Sequence, residues 1–148
     1  MTRPEIAVEN FMKGCNCSQS VISAFAEDLG MSRDTAMCIS EGFGGGMGRM
    51  RSVCGAVSAM FMACGLKLSK GDPKDAETRA LIYKTVQEMA AEFKEKYGTI
   101  VCAELLKGIS TSSGSVPTTR DAKFYKERPC AQFVEYAAEI VERKLMSL

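Results

Sequence analysis

Apolar residues recur along most of this chain at steps of three and four, the period of a helix face. The clearest stripe is Ile82, Val86, Met89, Phe93 and Tyr97. It predicts a long amphipathic helix capped by Asp72, with Pro73 at its first position and Gly98 at its end. Upstream, Pro4 and Glu5 open a short helix carrying Ile6, Val8, Phe11 and Met12, closed by Gly14. A second helix is predicted from Cys17 to Leu29, with Val21, Ile22, Phe25 and Leu29 inward and Gly30 as its stop. Ser32 caps a third, whose apolar face holds Met37, with Cys38 and Ile39 beside it. A fourth runs from Ser52 to Leu66. It is apolar nearly all round (Val53, Val57, Met60, Phe61, Met62), which predicts a central, buried helix. Thr99 caps a short helix with Cys102, Leu105 and Leu106. The segment KGISTSSGSVPTTR, residues 107–120, is a loop by composition. The last helix extends from Pro129 to Leu148, with Phe133, Tyr136, Ala137, Ile140 and Val141 inward. No run alternates like a strand; Thr99–Cys102, the sole candidate, reads better as a helix entry. The expected fold class is all-α: one compact bundle of five to seven helices, with a glycine-rich loop before a central buried helix. Residues 1–148 form a single domain, long enough to bury a core.

Composition changes this picture at two points. Histidine is absent and cysteine occurs seven times. Without histidine there is no Cys-His or Ser-His pair, no His-ligated zinc and no Cys-x-x-Cys-His haem attachment. Any site must run on thiols, carboxylates, lysine, arginine, tyrosine or backbone. The net charge of +1 gives no reason to expect nucleic acid as a partner. The opening MTRPEIAVENFMKG has no apolar core of signal-peptide length, and no stretch is apolar enough to span a membrane. The expected location is the cytoplasm, where cysteines more often bind metal or do redox chemistry than cross-link.

The stretch GFGGGMGRMRSVCG, residues 42–55, raises the question of phosphate binding. A dinucleotide fingerprint beginning at Gly42, Gly44 or Gly46 would need its third glycine at Met47, Arg49 or Arg51, and no strand precedes it. The spacing fails, and no Gly-Lys-Ser/Thr ending is present. Glycines this dense cost backbone entropy, about 0.5–1 kcal/mol each where the structure is regular. They are tolerated where backbone approaches something closely or takes positive φ. Gly45, Gly46 and Gly48, with Arg49 and Arg51, are therefore candidate cofactor-binding residues beside Cys54.

Four cysteines fall at predicted helix N-termini: Cys17, Cys54, Cys102 and Cys130. Helix dipoles and unpaired N–H groups there favour thiolates and should lower their pKa values. These four are the candidate catalytic and metal-ligating residues. Cys54, beside Arg49 and Arg51, is the expected low-pKa thiolate of a metal-free site. Cys64 and Cys38 read as core packing. Cys15, two residues from Cys17, can chelate metal or form a strained bond. The plain alternative is that all seven thiols are core residues without a function. The ten methionines read as core filler, and no Cys-x-x-Cys is present to mark a zinc knuckle or a thioredoxin-like motif.

At these residues the sequence resembles the family of redox-active proteins named for a C-GCAxxG-C-C pattern. The resemblance rests on Asn16-Cys17-Ser18-Gln19-Ser20-Val21, on Gly44–Gly48 leading to Val53-Cys54-Gly55-Ala56-Val57-Ser58, on Cys102-Ala103-Glu104-Leu105-Leu106, and on Cys130 before Phe133-Val134. It departs at the central motif, where Gly55 follows the cysteine and Ala59 stands in place of a glycine. The resemblance implies a redox-active or metal-cluster role for the four cysteines and supplies no substrate. Related sequences include haem-bearing split-Soret cytochromes, but without histidine no haem carries over. Four soft thiolates suit an iron–sulfur cluster for electron transfer. The alternatives are a metal-free dithiol/disulfide protein, or a non-enzymatic helical module with a structural tetrathiolate zinc site. Zinc ranks behind the cluster. The electron donor or acceptor is unspecified, whether the chain is an enzyme is left open, and so is a homo-oligomer.

Overall fold

Helix α1 (Arg3–Met12) begins with a reciprocal cap: Glu5 N–H donates to Thr2 Oγ1, and Thr2 N–H donates back to the Glu5 carboxylate. Such a cap satisfies two otherwise orphaned donors. The same device starts α2 (Cys17–Phe25), where Asn16 and Gln19 exchange hydrogen bonds of 2.9 and 3.1 Å. A 3-10 turn at Glu27–Leu29 and left-handed Gly30 end that passage. The remaining helices are α3 (Arg33–Ser40), α4 (Gly55–Leu68), α5 (Ala76–Tyr97), α6 (Cys102–Leu105), α7 (Ala122–Glu127) and α8 (Cys130–Leu145). This computed structural model describes residues 1–148. No helix is long and apolar enough to cross a membrane.

Helices α1, α2, α4 and α8 form the centre, with α3 against α2 and α5 leaning on α4 and, more lightly, on α8. The largest fully buried side chains include Phe11, Phe25, Phe93, Met60 and Ile140, drawn from all four central helices and α5. Phe93, Tyr97, Phe133 and Tyr136 interlock α5 with α8, the Tyr97 and Phe133 rings being 4.8 Å apart and edge-on. That geometry suits the ring quadrupole.

The all-α expectation stands, but the count is eight rather than five to seven. The added helix is α7, a six-residue turn in polar sequence, capped by Asp121 accepting from Phe124 N–H at 2.9 Å. Three starts also differ. Helix α4 begins at Gly55, not Ser52, because Ser52 and Val53 are extended and Val53 forms an antiparallel bridge with Val101. Helix α5 is capped by Asp75 rather than Asp72, leaving Pro73 in the preceding turn. Val101, not Thr99, stands at the N-cap of α6. On α3 the buried positions are Ala36 and Ser40, while Cys38 and Ile39 are exposed. Cys38 is thus no core residue, whereas Cys64 is fully buried on α4.

Candidate functional site

The connection from α3 to α4 is built from mirror-image backbone. Gly45, Gly46, Met47, Gly48 and Arg49 have φ of 66°, 74°, 67°, 60° and 64°, and Arg51 follows at 60°. For Met47, Arg49 and Arg51 such angles cost about 1–2 kcal/mol each. Closure of the coil offsets the cost: Arg49 N–H donates to Gly44 O, Arg51 N–H to Gly45 O and Ser52 N–H to Gly46 O, at 3.1, 3.2 and 2.8 Å. Glycine is also needed for space beside two of the thiols. A Cβ on Gly46 would stand 2.6 Å from Cys102 Cβ, and one on Gly55 would stand 3.2 Å from Cys17 Cβ and 3.1 Å from Ser18 N. Glycine therefore lets the coil and the start of α4 close onto two of the thiols.

Backbone pairing joins the two segments that carry the next two cysteines. Cys54 N–H donates to Ile100 O at 2.8 Å, and Cys102 N–H donates to Ser52 O at 2.6 Å, flanking the Val53–Val101 bridge. Cys17 opens α2 and Cys130 opens α8. All four thiols line one cavity of about 410 Å³. Gly44, Gly45, Gly46 and Gly48 form part of its wall, with Arg49, Arg51, Arg120 and Arg128. Cys15, Cys38 and Cys64 are not among its lining residues.

The thiols differ in electrostatic character. Burial pushes the Cys54 thiol up to about 12, although the N–H groups of Val57 and Ala56 act in the opposite direction. Cys102 is also raised by burial, against the Arg51 guanidinium, whose Nη1 lies 3.8 Å from its sulfur. Cys17 is held well above its ordinary value, first because it donates a hydrogen bond to Cys130 and then because it is buried. Cys130 alone is lowered. The Cys17 S–H is the main cause, and Arg128, Arg120 and Arg51 add to it against burial. Lowered values at all four helix starts, with Cys54 as the thiolate, are therefore corrected: for Cys54 and Cys102 desolvation outweighs the helix end, and for Cys17 the contact with Cys130 does so ahead of burial.

The arginines divide the work. Arg49 donates to Ser112 Oγ at 2.8 Å, Gly114 O at 2.9 Å, Thr118 Oγ1 at 3.2 Å and the Val116 carbonyl, tying down the 107–120 loop. Arg51 reaches Ser112 O at 3.4 Å as well as Cys102. Arg120 donates to Cys15 O and Phe11 O at 3.0 and 3.1 Å and lies 4.4 Å from the Phe11 ring. Sequence reasoning missed Arg120 and Arg128. The available signal was Arg128 two positions before Cys130, the same neighbourhood of charge and thiol that drew attention to Arg49, Arg51 and Cys54.

No group of three cysteine, aspartate or glutamate side chains is arranged to hold a metal ion. The thiol donor set itself suits a soft metal. A family model described as "Putative redox-active protein (C_GCAxxG_C_C)" matches residues 15–144, a span that takes in every residue of the thiol cavity but Phe11. The chain belongs to the C_GCAxxG_C_C family. Membership supports a general redox role. No curated protein and no solved structure matches the chain.

Proposed function

We propose that the cavity is a thiol redox site in which Cys130 and Cys17 are the reactive pair. The observation that carries this reading is that Cys17 and Cys130 line one cavity in a wall of guanidinium groups, close enough for each to shift the other's protonation. A thiolate is the attacking species in disulfide exchange, and a neighbouring thiol resolves the product. The Cys130 thiolate attacks one sulfur of a disulfide substrate. The substrate S–S bond breaks, a mixed disulfide forms, and the leaving thiolate takes the Cys17 proton. Cys17 then attacks the Cys130 sulfur, forming the Cys17–Cys130 bond and releasing the second thiolate, which takes a proton from water. Two electrons pass from the protein dithiol to the substrate. The cytoplasm, where such a pair can be re-reduced, is the compartment that suits this cycle. Reduced protein exposed to a small disulfide should yield a Cys17–Cys130 cross-linked peptide on non-reducing mapping. A different pair, or none, overturns the assignment.

A second reading is an iron–sulfur cluster held by Cys17, Cys54, Cys102 and Cys130. Its support is that four thiols line the cavity, two more than exchange requires. A cluster would supply one-electron transfer, with the glycine-loop amides and arginines offsetting its charge. Anaerobic reconstitution followed by visible absorption and iron and sulfide assays decides it. A colourless, iron-free product after reconstitution removes it.

A further inference from the structure

Four guanidinium groups line the thiol cavity, and none has a carboxylate within ion-pair distance. The sole acidic residue on the wall is Glu41, which is exposed. Three of the four are occupied with the protein itself: Arg49 and Arg51 with the 107–120 loop, Arg120 with the end of α1. Arg128 differs. It is only 9% exposed, its guanidinium stands 4.9 Å from the Phe124 ring, and its side chain makes no hydrogen bond or ion pair. Arg51 Nε is likewise buried without a partner. A buried donor without a partner is costly, and like charges crowd here: burial first, and then the charges of Arg51 and Arg128, lower the pKa of Arg49. A planar fork of donors that faces a cavity fits a carboxylate bidentately. The cavity volume of about 410 Å³ is that of a small-molecule pocket.

We propose that Arg128, with Arg51, selects a small organic anion bearing a carboxylate, so that the substrate is an acidic low-molecular-weight disulfide. This rests on the dithiol reading for its chemistry and on the unpartnered arginines for its charge. Three disulfides of similar size test it: 3,3′-dithiodipropionate, a dianion; bis(2-hydroxyethyl) disulfide, neutral; and cystamine, a dication. The rate of Cys17–Cys130 oxidation in the reduced full chain should fall in that order. The dianion should exceed the neutral compound by about tenfold or more, the effect expected of one charge-assisted hydrogen bond. In Arg128→Met, which keeps the stem against Phe124, that ratio should fall towards one. Taking the ratio cancels any change in Cys130 reactivity common to all three reagents. A wild-type ratio near one, or an unchanged ratio in the folded variant, overturns the proposal. Suberate, the carbon analogue of the dianion, separates the two layers by calorimetry. Suberate binding to the wild type that weakens about tenfold in Arg128→Met supports the anion site even if no disulfide reacts, an outcome that removes only the dithiol reading. Failure of suberate to bind the wild type removes the anion site whatever the disulfides do.

Discussion

Cys54 and Cys130 both open helices, yet their thiol pKa values shift in opposite directions, and most of the difference comes from neighbours the sequence does not juxtapose. Cys130 has the Cys17 thiol and three guanidinium groups acting on it; at Cys54 burial outweighs the N–H groups of Val57 and Ala56. Iodoacetamide labelling near neutral pH should therefore modify Cys130 before Cys54 and Cys102, with a rate profile that titrates below that of a free cysteine. Cys17→Ala should shift that profile upward, since it removes the largest stabilising contact. Raised thiols have a second consequence. Cys54 stays protonated in the fold up to about 12, whereas the unfolded chain ionises near 8.5. Ionisation of the unfolded chain then pulls the equilibrium away from the fold as pH rises between those values. Cys54 should cost about 1.4 kcal/mol of stability per pH unit there, and none below. Urea midpoints across alkaline pH should fall in the wild type and fall less steeply in Cys54→Ala. The four cysteines of the cavity were legible from their places at helix starts; which of them has the lowered pKa was not, because Cys17, Arg120 and Arg51 come to Cys130 through tertiary packing.

At the scale of elements, the site depends on how closely the mirror-image coil and the start of α4 approach their neighbours. Gly46→Ala places a methyl group against Cys102 Cβ and adds left-handed strain, so it should cost about 2–4 kcal/mol, read from the urea midpoint. The coil's glycines stood out in the sequence as a place of close approach or positive φ, and both occur. The start of α4 was misplaced because the Val53–Val101 bridge joins segments almost fifty positions apart, a pairing that local periodicity cannot register. Helix α7 escaped notice for another reason: its six residues hold too few turns to show a period. The 107–120 loop hangs on Arg49 to a large degree. Arg49→Ala should leave the helical circular dichroism intact while trypsin cleavage at Lys107 or Arg120 rises several-fold, because loop tips without hydrogen bonds are the preferred places for nicking.

Across the whole molecule, order is uneven. Helix α5 has only Met89 and Phe93 fully buried among its 22 residues, and both lie in its second half. Amide exchange should accordingly be fast from Ala76 to about Ile82 and slow around Phe93 and throughout α4, since local opening follows the density of buried apolar contacts. Phe93→Ala should cost about 3–5 kcal/mol, since it opens a gap among three aromatic rings. The long stripe of α5 was plain in the sequence, but its shallow burial depends on what packs against it. The positions of Cys17 and Cys130 carry a consequence of their own. They lie near opposite ends of the chain, so a bond between them would enclose a loop of about 100 residues, worth about 4–5 kcal/mol in the chain-entropy model. The oxidised chain should melt at a higher temperature than the reduced one. By linkage, whatever the bond gains from the fold makes the dithiol a stronger reductant, with about 30 mV for each 1.4 kcal/mol. Core mutations that leave the contact between α2 and α8 intact would leave the potential of the folded pair unchanged, whereas loosening that contact would raise it.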